Sequence, residues 1–234
     1  MRPYHNIQII ESGEPLVKIP FELFAVESPH PYEKLGAPYS DRSPYYLREG
    51  VINGLIEAQN YLETLRPNWK IQIFDAYRPV EVQQFMVDYS FELALQERNW
   101  LQQELSLAQE EEIWKAVYDI WAPPNMDLKT PPPHSTGAAV DVTLVNSQGE
   151  PVDMGSFIDE MSQRSLPDYY QNSNHSQGNE FHHNRELLKD VMEKGGLLRN
   201  PREWWHFSYG DQMWAWIINQ STVGSQKNAF YGRL

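Results

Sequence analysis

Two proline breaks and the strand behind them constrain this chain most. Ala122-Pro123-Pro124 and Pro131-Pro132-Pro133 bracket a short loop. Proline has a fixed φ and no N–H, so a helix cannot run through either triplet. Ala138 to Val145 follows, β-branched and apolar, which predicts a strand ending at a turn around Asn146 to Gly149. Upstream, Leu47, Val51, Leu55, Ile56 and Leu62 recur at helical spacing between Tyr46 and Leu65, and Pro67 closes that segment. Lys70 to Phe74 alternates as a strand does and runs into Asp75-Ala76-Tyr77-Arg78-Pro79. Val80 to Trp121 reads as two or more helices, with Ser106 a cap and Gln109 three residues on. Residues 165–180 are polar and read as a mobile loop. Phe181 to Lys194 reads as a helix stopped by Gly195-Gly196, and Trp204 to Tyr209 is a further apolar segment. Helices lead, strands come between and after, and no βαβ repeat is visible. That order predicts an α+β fold.

The chain's 234 residues are enough to bury a real core. We read residues 1–234 as a single domain, with a loop-rich region, residues 1–45, packed on it. The net charge is −13, and no Lys/Arg-rich run offers the basic patch that nucleic acid requires. The absence of cysteine excludes disulfides, a thiolate nucleophile and cysteine-bound metal. Residues 1–20 carry Arg2, His5, Glu11, Glu14 and Lys18 without an apolar run of signal-peptide length. No stretch approaches the ~18–20 apolar residues of a membrane span. The expectation is a cytoplasmic protein with neither nucleic-acid nor membrane partners; its oligomeric state is not legible.

Two places concentrate metal-capable side chains. His134 and Asp141 lie seven residues apart, about 23 Å on an extended chain at ~3.3 Å per residue. To share an ion, both must come within roughly 2 Å of it. The chain between them therefore has to turn, which Gly137 permits and the rigid prolines direct. A loop histidine followed by a strand-capping aspartate is the plainer reading of the same residues. The second place is Glu203-Trp204-Trp205-His206. Apolar walls around Glu203 would raise its pKa and suit it to proton transfer near neutral pH. A regular strand would point Glu203 and His206 to opposite faces, so a bend or bulge is expected there. An aromatic strand with a structural histidine is the alternative. Together, His134, Asp141 and His206 form a two-imidazole, one-carboxylate set that suits Zn²⁺ with one position open, leaving Glu203 as a base. The helical HExxH pattern is absent. Arg78, fixed between Tyr77 and Pro79, could face a developing oxyanion or simply pair with Asp75.

Asp75-Ala76-Tyr77-Arg78-Pro79, then His134 with Gly137 and Asp141, then Asp153-Met154-Gly155-Ser156, then Glu203-Trp204-Trp205-His206 together resemble the D-alanyl-D-alanine dipeptidases. These are zinc peptidases related to zinc D,D-carboxypeptidases and to the hedgehog domain. The resemblance runs from about Lys70 to Phe207. It implies a central antiparallel sheet flanked by helices and one Zn²⁺ per chain on His134, Asp141 and His206. It also implies Glu203 as general base, Arg78 as transition-state stabiliser, and a small D,D-dipeptide as substrate. Asp159 matches an acidic position that helps hold the dipeptide's amino end, although a carboxylate at a helix N-terminus would explain it equally. Asp75 matches as well, in a role that holds Arg78. Pro132 departs from the pattern, since relatives often carry serine there. His175, His182 and His183 fall outside the motifs and read as ordinary surface histidines. A cell-wall carboxypeptidase or L,D-endopeptidase, or a zinc module without catalysis, are the other readings of this resemblance.

Overall fold

The sheet is built around two strands, β4 (Lys70–Asp75) and β5 (Ala139–Val145), which pair antiparallel along their length. The structure is a computed structural model and describes residues 2–40, 43–221, 224 and 226–234. Earlier in the chain come a 3-10 turn (Pro3–Asn6), β1 (Leu16–Lys18), β2 (Ala25–Val26), α1 (Pro31–Lys34), β3 (Tyr46–Arg48) and α2 (Glu49–Leu65). Between β4 and β5 lie α3 (Val80–Arg98) and α4 (Leu107–Ile120). After them come α5 (Ser176–Lys194), β6 (Leu198–Arg199), β7 (His206–Ser208) and α6 (Gln212–Ser221). The sheet order is β2-β4-β5-β7-β6, antiparallel except for β2, which joins β4 in parallel at the edge. The fold is α+β, as the element order predicts.

Helix α2 covers one face of this sheet because Val51, Leu55, Ala58 and Leu62 form its inward stripe. They pack with Ile71, Ile73, Val140, Val142 and Leu144 and with Leu188, Val191 and Met192 of α5. Burying each Val, Leu, Ile or Met among them contributes about 1.5–3 kcal/mol. The helices α2 and α5 meet at two glycines. A Cβ on Gly195 would stand 2.0 Å from the Gly54 carbonyl oxygen, and one on Gly54 would stand 2.5 Å from that of Gly195. Gly195-Gly196 also ends α5 as expected. Gly196 takes φ +81°, and the N–H groups of Leu197 and Gly196 return to the carbonyls of Met192 and Glu193. A second apolar cluster joins α3 and α4 through Val82, Met86, Phe91, Ile113, Val117 and Trp121. Ser106 and Gln109 cap α4 reciprocally, as their spacing predicts.

Three local expectations differ from the structure. Tyr46–Arg48 is strand rather than helix, because it pairs with β1 in a separate two-stranded sheet. Helix α5 begins at Ser176, five residues before Phe181. The polar segment before it is folded into a 3-10 turn and further turns, and buried Arg185 donates to the carbonyls of Arg164 and Leu166 at its start, as well as to that of Met154. Arg48 is likewise fully buried. It donates to the carbonyls of Glu14, Thr136 (2.9 Å) and Gly232 (3.0 Å) and pairs with Glu11.

No helix among the described residues is long and apolar enough to cross a membrane.

Candidate active site and metal centre

Register assembles the site. Asp75, Asp141 and His206 lie opposite one another on adjacent strands β4, β5 and β7, and cross-strand neighbours bring their side chains together. In β4 the pairing advances two residues, from Ile73 to Asp75, while β5 steps only from Val142 to Asp141. That irregularity moves Asp75 from the face of Ile73 to the face of Asp141. His134 arrives from a 3-10 turn (Pro133–Thr136), and Gly137 reverses the chain at φ +70° before β5 begins. This is the turn demanded by the His134–Asp141 spacing. Glu203 follows a turn whose N–H···O bond runs from Glu203 to Asn200, and a bend at 204–205 precedes β7. The bend expected between Glu203 and His206 is therefore present.

The donor atoms of His134, Asp141 and His206 lie within 4.8 Å of one another, and all three residues are buried. His134 Nε2 stands 3.1 Å from His206 Nδ1 and 3.2 Å from Asp141 Oδ2, and His206 Nδ1 stands 3.0 Å from Asp141 Oδ1. Two nitrogens sharing one tetrahedral ion at ~2.0–2.1 Å would stand about 3.3 Å apart. The outer partners orient both rings. His134 Nδ1 faces the Ala76 carbonyl at 2.8 Å, and His206 Nε2 faces Ser208 Oγ at 3.4 Å, whose own proton goes to Asp211 at 2.9 Å. Satisfying these partners puts each N–H outward and each lone pair inward. Two lone pairs and a carboxylate facing one another at this range call for a cation, and the set fits one metal ion. Burial alone would push Asp141 up, but His134 and His206 hold it well below the usual carboxylate range.

Glu203 stands beside this centre, with Oε2 3.7 Å from His206 Nδ1. Burial pushes its carboxyl up to about 7, against the pull of His206. Arg78 is held on three sides. Its Nε and Nη2 donate to Asp75 Oδ2 at 2.9 and 2.6 Å, and its Nη1 donates to Gln83 at 2.8 Å. Its plane stacks near the rings of Trp121 and Tyr32. From this seat Nη2 reaches Asp141 Oδ2 at 3.4 Å, so pairing with Asp75 and facing the centre are compatible. Asp75 itself sits behind Arg78, with His30 Nε2 at 3.1 Å and Tyr39 Oη at 3.2 Å on its other oxygen.

Asp159 lies in a turn at φ +64° and not at a helix N-terminus. Tyr32 Oη donates to it at 2.7 Å. Burial, and then Asp141, push its carboxyl up to about 8. A cavity of about 170 Å³ joins Asp159, Arg78, His134, Asp141, Glu203 and His206. His182 and His183 fall on α5, with His175 beside it, away from that cavity. Sequence reasoning missed Tyr32, His30, Gln83, Trp121, Ser208 and Asp211. Tyr32 and His30 fall within the loop-rich region, residues 1–45, where the sequence offers no pattern that singles them out.

The family model described as D-ala-D-ala dipeptidase matches residues 26–227. The chain belongs to the D-ala-D-ala dipeptidase family. A protein of Synechocystis sp. named D-alanyl-D-alanine dipeptidase is 51% identical to it, over 100% of this chain and 97% of that protein. One of the same name from Escherichia coli is 30% identical, over 46% of this chain and 61% of that protein. Among solved structures, the LD-carboxypeptidase LdcB aligns over 94% of this chain and 84% of its own. At 14% identity and a TM-score of 0.47, that likeness is too slight to bear on fold or activity. As a member of the dipeptidase family the chain is a metallopeptidase, and its His134, Asp141 and His206 set suits zinc.

Proposed function

We propose that this dipeptidase hydrolyses D-alanyl-D-alanine, with one zinc ion held by His134, Asp141 and His206. The observation that carries the reading is the convergence of three oriented donors beside a buried glutamate that is not among them. Zinc, when bound, polarises the scissile carbonyl and makes water nucleophilic near neutral pH. Glu203 takes the proton that water loses and delivers it to the leaving amine, a role suited to a carboxyl whose pKa lies near 7. Arg78 meets the developing negative oxygen with an N–H already aimed at the centre. Asp159, supported by Tyr32, receives the ammonium of the substrate. Asp75 is a positioning residue that fixes Arg78.

The cavity of about 170 Å³ is smaller than the roughly 300–1,000 Å³ of pockets that take drug-sized ligands. Its size favours a dipeptide over a longer cell-wall peptide. We also read the whole chain as one catalytic domain, because β1 and β2 from the first 45 residues pair into its sheets. A substrate small enough for this cavity is free dipeptide rather than cross-linked wall, which suits action in the cytoplasm. Cell fractionation tests that location.

The deciding experiment is hydrolysis of D-Ala-D-Ala by zinc-loaded protein, beside L-Ala-L-Ala and a pentapeptide ending in D-Ala-D-Ala. Cleavage of the D,D-dipeptide alone supports the reading. Pentapeptide turnover moves the protein to the carboxypeptidases. Glu203→Ala should abolish turnover while zinc stays bound, and near wild-type rates in that variant would remove Glu203 from the mechanism.

A further inference from the structure

The catalytic cavity has a wall that neither the donor set nor Glu203 accounts for. Arg2, Pro3 and Tyr4 line it, together with Glu203, Trp205 and His206. These residues are seated by specific contacts. Arg2 Nη2 donates to the carbonyl oxygens of Tyr118 and Trp121, the latter at 3.1 Å, at the end of α4. The last carbonyls of a helix lack helical partners and carry its negative pole, so a guanidinium is well placed there. Tyr4 is only 6% exposed. Gln212 of α6 then holds the next turn by donating to the Ile7 carbonyl at 2.7 Å. Beyond it, Ile9 bridges to Ala229.

The cavity is lined by groups of both charge signs. Among its described lining residues the arginines are Arg2, Arg78 and Arg202. Arg78 is engaged by Asp75, Gln83 and Tyr32. Arg202 turns outward to Asp119 at 2.8 Å and is about half exposed, at 49%. Asp159, to which Tyr32 donates, and Arg2 line the same cavity as Glu203. In a dipeptide, the amine released on cleavage and the C-terminal carboxylate are attached to the same carbon. Whatever cation reads that carboxylate must therefore stand near the acid that protonates the amine.

We infer that Arg2 is a specificity-determining residue. Its guanidinium, seated on the α4 carbonyls, receives the C-terminal carboxylate of a dipeptide whose amino end lies at Asp159. This rests on the dipeptidase reading above and adds the group that recognises the substrate's far end. The planar fork of arginine can hold a carbonyl along one edge and a carboxylate along another, which a lysine ammonium does less well. A cavity lined by both a carboxylate and a guanidinium suits a substrate that carries an ammonium and a carboxylate.

The test compares D-Ala-D-Ala with its C-terminal amide, using zinc-loaded wild-type, Arg2→Gln and Arg2→Lys proteins. The wild type should prefer the free acid. Arg2→Gln should lower kcat/KM for the acid roughly ten- to a hundredfold, mainly through KM, the worth of one hydrogen bond to a charged group. The amide already lacks that contact and should change little, while Arg2→Lys should keep part of the preference. If both substrates lose activity together, Arg2 only anchors its segment and the inference is overturned. Equal turnover of acid and amide by the wild type overturns it too, even if Arg2→Gln fails to fold. Cleavage of neither substrate overturns the dipeptidase reading itself, and this inference with it.

Discussion

Glu203→Gln should stabilise the metal-free protein, by an amount that grows with pH. Glu203 is 7% exposed, and burial raises the pKa of its carboxyl from 4.5 to about 7. Below 4.5 both the folded and unfolded states hold the proton, and folding buries no charge. Between 4.5 and about 7 the unfolded chain ionises first, and stability begins to fall. Above about 7 the folded protein must carry the buried carboxylate. Stability associated with this group is thus full below its unfolded pKa and lost as pH rises through the folded one. At about 1.36 kcal/mol per pH unit, the full loss is about 3 kcal/mol. Glutamine has nearly the same shape and never ionises, so it escapes the loss. Urea unfolding of chelator-treated wild-type and Glu203→Gln proteins, from about pH 4 to about pH 9, measures the difference. The metal-free form is required, because a cation beside the carboxylate would itself favour ionisation. A stability difference that stays flat across this range, or that grows toward acid, would refute the burial reasoning. Agreement would mean that the carboxyl of Glu203 is held at a standing cost to the fold.

The remaining predictions concern other parts of the site and its support. Arg78→Ala should lower kcat about 10²–10³-fold with zinc retained by metal analysis; loss of zinc instead would make Arg78 structural. Ser208→Ala removes no ligand, yet should weaken zinc binding about 10–100-fold in a chelator competition, because His206 loses the partner that orients its ring. Gly195→Ala should cost at least about 1–3 kcal/mol in urea unfolding. The new methyl meets the Gly54 backbone rather than a flexible side chain, and an unchanged midpoint would show that α2 and α5 separate freely.

What was legible in the sequence was local. The proline triplet, Gly137 and the capping pair Ser106 and Gln109 announce their own conformations through nearest neighbours. The donor residues were legible because their side-chain chemistry is restrictive. What was not legible depends on partners far along the chain. Leu47 starts the apolar series at helical spacing, but pairing with Leu16–Lys18 extends Tyr46–Arg48 into a strand. The row of Asp75, Asp141 and His206 exists only once strand register is set, and the irregularity after Ile73 has no sequence signature of its own. Tyr32 reaches Asp159 across 127 residues, and Arg2 reaches Trp121 across 119. Periodicity and turn chemistry carry no information at that range.

The buried Arg48 links its own segment to three distant stretches of chain, through Glu14, Thr136 and Gly232. A protein emerging from the ribosome makes these stretches in order. Until residue 232 has left the exit tunnel, this guanidinium, although paired with Glu11, lacks one of its carbonyl partners, and a buried charge short of partners is costly. Thr136 lies two residues from His134, in the turn that carries this donor to the centre. The turn that carries His134 is thereby tied to residues made long after it, so a chain cut before Gly232 should hold the metal less firmly than the whole.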